Sequence, residues 1–267
     1  KMPARLGTHP AKAYTALAQW QNYDGYRAMY ESANLDRQGL IIWMSHSCWP
    51  SMVWQTYDYY FDPTAAFFGI KKACEPLHVQ YNASTAQVQL VNMMKPTQDI
   101  KVIATMYDLQ GKEVWKKAAS AHLPSDSTVN CFEALSPDTT KSFMLRLEAV
   151  SMLNNELLST NTYFLWGNES SKELASIDIA KVDVNIMHKP TIQVVLTNTS
   201  DTPAMMIRLN LCGTDGEQIL PVKYSDNYFH LLPGERKTIS INWKPFDARG
   251  TNPQLKISGY NVKEIVK

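Results

Sequence analysis

Apolar and polar positions change rhythm twice along the chain. From residue 11 to 33, Ala13, Ala16, Trp20, Tyr23, Tyr26, Tyr30 and Ala33 recur at three- or four-residue spacing. That spacing places one unusually aromatic stripe along a helix. Asn34–Gly39 then reads as a loop into the five consecutive apolar residues Leu40–Met44. A continuous apolar run of that length predicts a strand buried on both faces, as in a parallel sheet. A second helix is expected from Asp62-Pro63, with aspartate as cap and proline at the first helical position. Its apolar face is Ala66, Phe67, Ile70 and Cys74, and Pro76 ends it. After Pro76 the period becomes two: Val79 and Tyr81, Val88 and Leu90, Ile100 and Val102 alternate with polar residues. Turn signals follow at Lys95-Pro96, Gln110-Gly111, Leu123-Pro124 and Asn154-Asn155. Short strands with turns at such intervals predict a sandwich.

The β part repeats. Val88–Asn92 answers Ile192–Asn198, and Asp108–Val114 answers Thr214–Ile219. Leu123-Pro124 with the strand Thr128–Phe132 answers Leu232-Pro233-Gly234 with Lys237–Trp243. Asn92 to Gly111 is 19 residues and Asn198 to Gly216 is 18. Agreement in order and spacing predicts two copies of one unit, each the size of an immunoglobulin-like sandwich. Gly167–Leu174 is the polar boundary between them. The expected fold class is mainly β: two immunoglobulin-like β-sandwiches preceded by an incomplete α/β segment.

Composition narrows the function. The 267 residues carry a net charge of +1, with mixed signs throughout, and the densest basic piece is only Lys116-Lys117. A nucleic-acid footprint would need a clustered basic face, so no nucleic-acid partner is expected. No apolar run approaches the ~20 residues of a membrane span, and no signal peptide is legible, so no membrane partner is expected. The four cysteines Cys48, Cys74, Cys131 and Cys212 lack CxxC spacing and read as free, buried thiols. His46 and Cys48 lack further ligands at zinc spacing, so neither metal nor cofactor is expected. Asn82, Asn168 and Asn198 begin N-x-S/T triplets, which matter only in a eukaryotic secretory protein.

Candidate chemistry gathers just after Leu40–Met44. Ser45-His46-Ser47-Cys48-Trp49-Pro50 is polar and aromatic, and Trp43, Trp49 and Trp54 flank its hydroxyls and imidazole. In α/β barrels, chemistry lies past the carboxyl ends of the strands. Aromatic faces with polar groups between them suit a sugar, although the same tryptophans would also serve to fill a space between segments. A glycosidase needs two carboxylates across the scissile bond. Asp24, Glu31, Asp36, Asp58, Asp62 and Glu75 yield no such pair. Glu31 and Asp36 precede the strand, Asp62 caps a helix, Glu75 ends one, and Asp58 anchors a loop. Tyr224, Tyr228 and Phe229 read as a strand face or domain contact rather than a sugar platform. No G-x-S-x-G, P-loop or G-x-G-x-x-G is present.

Longer motifs carry a family resemblance. Trp43-Met44, Ser47-x-Trp49-x-Ser51, Trp54-Gln55, Tyr57-Asp58 and Ala65-x-Phe67-x-Gly69-x-Lys71-Lys72-Ala73-x-Glu75-Pro76-Leu77-His78-Val79-Gln80-Tyr81 resemble the carboxyl-terminal end of glycoside hydrolase family 2 enzymes. Exo-β-D-glucosaminidases are the nearest in appearance, then endo-β-mannosidases and β-mannosidases. Asp226-Asn227-Tyr228-Phe229-x-Leu231-Leu232-Pro233-Gly234-Glu235 and Gly259-Tyr260-Asn261-Val262 resemble that family's terminal immunoglobulin-like domain. The resemblance implies that residues 1–75 are the end of a catalytic (β/α)₈ barrel: its seventh helix, eighth strand and eighth helix. It further implies one immunoglobulin-like sandwich over 76–167 and a terminal one over 168–267.

The implied reaction is retaining hydrolysis through a covalent glycosyl-enzyme intermediate. Both catalytic glutamates would lie on earlier strands outside this chain, so no catalytic residue is assigned here. Trp43, His46, Ser47 and Trp49 would wall the sugar subsite. The implied partners are a β-linked oligosaccharide or glycoside and the amino-terminal remainder of the barrel, and the implied location is periplasmic or secreted. His46 departs from the family, whose members commonly carry asparagine there. A charged imidazole would disfavour an ammonium-bearing sugar, so a neutral β-mannoside or other β-glycoside stands beside the glucosaminide. The competing functions are a non-catalytic carbohydrate-binding or adhesion module and a purely structural β-protein. Residues 1–75 are expected to lean on the first sandwich, pair with another copy, or be poorly ordered, because Leu40–Met44 lacks strand neighbours in this chain.

Overall fold

In the computed structural model the described residues are 10–36, 39–51, 54–94, 96–187 and 192–267. They divide into two units. One comprises the described residues up to Asp24, Ile42–Phe68 and Ala175–Lys267; the other comprises Gly25–Ile41 and Gly69–Leu174. The head segment is thus divided between the two units.

In the second of these units, seven strands follow one another: β1 (Leu77–Asn82), β2 (Gln87–Asn92), β3 (Gln98–Tyr107), β4 (Glu113–Leu123), β5 (Ser127–Glu133), β6 (Phe143–Ser151) and β7 (Leu157–Leu165). They form antiparallel sheets ordered β1-β2-β5 and β4-β3-β6-β7. The alternation seen in sequence sets the core. Val79, Val88, Leu90, Ile100, Val102, Leu145 and Leu147 are fully buried between the sheets. The Gln110-Gly111 signal is a hairpin turn with Gly111 at φ 78°, and Lys112 O accepts from Asp108 N. The Lys95-Pro96 signal includes Lys95, which lies outside the described residues.

The other unit repeats the plan. After α3 (Ser170–Ser176) come β8 (Val182–Met187), β9 (Ile192–Asn198), β10 (Ala204–Gly213), β11 (Lys223–Tyr224), β12 (Phe229–Leu231), β13 (Arg236–Asn242), a 3₁₀ turn at Pro245–Ala248, β14 (Pro253–Ser258) and β15 (Ile265–Val266). The sheets run β11-β13-β9-β8 and β12-β10-β14-β15. With β11 set aside as an added edge, the two sandwiches have the same strand order. The repeat extends to single bonds. Asn92 donates through Nδ2 to Pro96 O (2.9 Å) and Pro124 O (3.0 Å) and accepts at Oδ1 from Met94 N. Asn198 donates to Thr202 O (2.9 Å) and Leu231 O (3.0 Å) and accepts from Ser200 N. Each buried asparagine ends its strand by hydrogen-bonding two carbonyls from other segments of its sandwich.

Helix α1 (Pro10–Asp36) is the expected aromatic helix, three residues longer at its end than the stripe. Trp20, Tyr23, Tyr26 and Ala33 are buried, and so are Arg27 and Glu31. Ala13's side chain lies outside the described residues. Helix α2 (Ala65–Ala73) starts two residues after Pro63, and its buried face is Ala65, Ala66, Phe68 and Ala73. Cys74, expected on that face, is exposed. All four cysteines are free, but only Cys212 is buried.

The Leu40–Met44 strand does not form. These residues are irregular, with Ile41 97% and Trp43 87% exposed. A strand buried on both faces needs a partner on each edge. Here the described residues supply only a single parallel bridge, His46 with Tyr57, just beyond the apolar run.

Candidate functional site

Residues 45–51 and 54–64 are joined by short-range polar bonds. Ser45 O accepts from Tyr57 N (2.9 Å) and Thr56 Oγ1 (3.0 Å). Ser47 is buried and its hydroxyl donates to Gln55 Oε1 at 3.1 Å. Thr64 Oγ1 reaches Gln55 O and Thr56 O. Asp58 organises the next turn: its Oδ1 accepts from Tyr60 N (2.8 Å) and Asp62 N (2.9 Å). Asp58 therefore anchors a loop, as its position suggested. The turn places Phe61 at φ 68°, a left-handed conformation costly for a bulky side chain.

That turn carries the surface for His46. The imidazole stacks on Phe61 with ring centroids 4.2 Å apart and planes 12° from parallel. Its Nε2 lies 3.2 Å from Tyr59 O. A carbonyl only accepts, so Nε2 carries the hydrogen, and Nδ1 of the neutral ring is an acceptor.

Of the expected site residues, Trp43 and Trp49 are 87% and 67% exposed, and His46 is half-buried. Ser47 is turned inward onto Gln55, so the structure does not bring it to the exposed face. Trp54, Tyr59, Tyr60, Phe61 and Met44 are exposed as well. The tryptophans do not fill a core in this structure. Tyr60 and Phe61 escaped the sequence reading because nothing in their spacing signals an outward-facing turn. Tyr224, Tyr228 and Phe229 are buried, in keeping with a strand face or contact.

Asp62 does not cap α2. Ala65 N instead donates to Gln19 Oε1. The Asp62 carboxylate accepts at Oδ2 from Arg208 Nη2 (2.6 Å) and Gln218 Nε2 (3.0 Å). Burial pushes the Asp62 carboxyl upward, and the Arg208 charge and the Gln218 bond oppose that push. The nearby tyrosine Tyr228, buried beneath Arg208, has its hydroxyl pushed up to about 12 by burial.

The unit containing the first sandwich holds a buried polar cluster that the sequence did not announce. Glu31 Oε1 accepts from Tyr163 Oη (2.7 Å), Asn161 Nδ2 (2.9 Å) and His78 Nε2 (3.0 Å). Glu75 meets His78 Nδ1 (3.1 Å), Ser159 Oγ (2.8 Å) and Lys72 Nζ (2.6 Å). Arg27 lies 4.0 Å from the Tyr163 ring centroid and donates to Asn161 Oδ1 and Thr162 O. Burial alone would lower the His78 pKa, but bonds and charge from Glu31 and Glu75 outweigh it and raise the value. Glu75 is desolvated, yet His78 and Lys72 bring its carboxyl down to about 2. Both carboxylates are committed to internal donors, so the cluster is a tie rather than an acid/base pair. The findable signal was the helical spacing of Arg27 and Glu31 with Trp20 and Tyr23.

Residues 164–262 match the exo-β-D-glucosaminidase immunoglobulin-fold domain. The chain is 28% identical to an exo-β-D-glucosaminidase of Streptomyces avermitilis, covering 94% of this chain and 32% of that protein. It is 29% identical to an exo-β-D-glucosaminidase of Hypocrea jecorina, with the same coverages. It is 24% identical to a mannosylglycoprotein endo-β-mannosidase of Lilium longiflorum, covering 92% of this chain and 34% of that protein. The exo-chitosanase crystal structure from Amycolatopsis orientalis superposes with a TM-score of 0.82 at 24% identity, over 96% of this chain and 34% of that one. The chain spans about a third of the length of these relatives. The strand order, the matched domain and the Gly39–Tyr81 motifs agree: the chain resembles the carboxyl-terminal portion of a glycoside hydrolase family 2 enzyme of the exo-β-D-glucosaminidase type.

Proposed function

We propose that this chain serves as the carboxyl-terminal part of a retaining β-glycosidase of the exo-β-glucosaminidase or β-mannosidase type. In this reading residues 1–75 end the catalytic barrel, 76–167 and 168–267 are supporting sandwiches, and the chain alone is inactive. Trp43, His46 and Trp49 form one wall of the sugar subsite. Ser47 acts behind that wall by fixing Gln55. The observation that carries the proposal is the exposure of Trp43 and Trp49 beside a locally braced His46, within the family's own motif.

The chemistry fits a wall rather than a reaction centre. Indole faces exclude water from the apolar side of a pyranose, while His46 Nδ1 accepts from a hydroxyl or an ammonium hydrogen. Among the described residues the nearest carboxylates are already engaged: Asp58 holds its turn and Asp62 is paired with Arg208. The acid and the nucleophile must then come from the remainder of the barrel. The test is steady-state hydrolysis of aryl β-D-glucosaminide and aryl β-D-mannoside by the enzyme containing this chain. Trp43→Ala and Trp49→Ala are each expected to lower kcat/KM about tenfold, the loss of one aromatic face. Unchanged kcat/KM in both variants would remove these residues from the subsite.

A further inference from the structure

Arg208 stands on β10, in the sandwich far along the chain from the aromatic wall, yet its guanidinium reaches the turn that shapes that wall. Nη2 donates to Asp62 Oδ2 at 2.6 Å, and Gln218 Nε2 donates to the same oxygen at 3.0 Å. Gln218 is itself held by Asn210 Oδ1 at 3.1 Å. On the other side, Asp62 is locked to Asp58. Asp62 N donates to Asp58 Oδ1 (2.9 Å), and Asp58 N donates to Asp62 O (3.1 Å). Between these two aspartates sit Tyr59, whose carbonyl meets His46, and Phe61, whose ring carries it.

Three positive-φ residues belong to the segments that make this contact. Phe61, Met206 and Tyr228 all have positive φ, at 68°, 50° and 55°. Met206 lies in a register shift of β10 between Ala204 and Ile207, two residues before Arg208. Such shifts re-aim the following side chains. Tyr228 lies under the guanidinium, 5.7 Å from its ring centroid to Cζ. Strained conformations of bulky residues persist only where surroundings over-determine them, and they concentrate at functional sites.

We propose that Arg208 is a positioning residue: through Asp62 it fixes the Asp58–Asp62 turn, and so holds Phe61 and Tyr59 where they orient His46. A lysine would supply the charge but place its donor differently from the guanidinium. That the oriented His46 then meets a sugar rests on the function proposed above.

The test reads the His46 ring protons of the whole chain by NMR, since a ring stacked on Phe61 is shielded. In Arg208→Gln the shielding is expected to vanish, while methyl signals of Ile239 and Ile257 in the sandwich core stay in place. Arg208→Lys is expected to restore part of it. Lys237→Met, which removes the Lys237–Asp226 pair of the same sandwich, is expected to leave His46 unmoved. If Arg208→Gln does not fold, Asp62→Asn, of nearly the same shape, gives the same readout. A folded Arg208→Gln or Asp62→Asn protein with wild-type His46 signals would overturn the proposal. So would an equal shift in Lys237→Met. A second arm adds a β-1,4-linked glucosamine tetramer. If wild-type signals ignore the sugar but the ring arm holds, positioning stands and the sugar wall falls. If the ring arm fails, positioning falls whatever the sugar does.

Discussion

Asn92 and Asn198 perform the same three-bond task in two sandwiches, and their weight can be measured singly. Asn198 is fully buried, and its amide is the donor for two carbonyls. Asn198→Ala strands both acceptors away from water, a loss of about 1–3 kcal/mol for each unsatisfied group. Urea unfolding of the variant is expected to show that loss, and a change below about 0.5 kcal/mol would contradict the buried-donor role. His78 makes a prediction of the opposite kind, in pH rather than sequence. Its pKa is raised in the folded state, so its contribution is complete below the unfolded histidine value, ~6.5. That contribution is lost as pH rises through the higher folded value. Glu75 runs the other way: its contribution is complete above its unfolded value, ~4.3, and is lost as pH falls through about 2. Stability is therefore expected to peak between the two limbs. His78→Gln is expected to flatten the alkaline limb in a series of urea midpoints, and an unchanged limb would reject the imidazolium. Glu75 and His78 stand three residues apart in the sequence motif, but only the fold brings Glu31 of α1 within 3.0 Å of His78.

At the scale of elements, alternation made the sandwiches legible. Val79, Val88, Leu90, Ile100 and Val102 all point inward as their period demanded, and the repeat foretold a shared strand order. Leu40–Met44 misled for a physical reason. An apolar run reports a preference for burial, but burial must be supplied by neighbours, and the described residues contribute one bridge. Backbone groups there lack ladder partners, so hydrogen exchange at Ile42 and Trp43 is expected to be fast, while Val102 and Leu145 at the core are protected. Protection of the apolar run equal to that of β3 would mean that a strand forms in solution. Asp62 likewise had the right type and place for a cap, and Gln19 from α1 took the role instead.

For the molecule as a whole, the chain carries two sandwiches of one topology and a short segment whose aromatic side chains Trp43, Trp49, Trp54, Tyr59, Tyr60 and Phe61 are exposed. The match of residues 164–262 to a glucosaminidase immunoglobulin-fold domain was anticipated by the Asp226–Glu235 and Gly259–Val262 motifs, and the 0.82 TM-score to an exo-chitosanase over 96% of the chain by these together with the Trp43–Tyr81 motifs. The exposure of Trp43 and Trp49 was implied by the family resemblance but opposed, at Trp43, by the apolar run, since exposure depends on what surrounds a residue rather than on its neighbours in sequence. The central claim is that Trp43, His46 and Trp49 face a β-linked sugar. It is met most directly by NMR titration of the whole chain with a β-1,4-linked glucosamine tetramer at millimolar concentration. The predicted result is saturable shifts of the Trp43 and Trp49 indole N–H and the His46 ring, absent with an α-linked tetramer. Equal shifts with both sugars, or none at these three residues, would contradict the account.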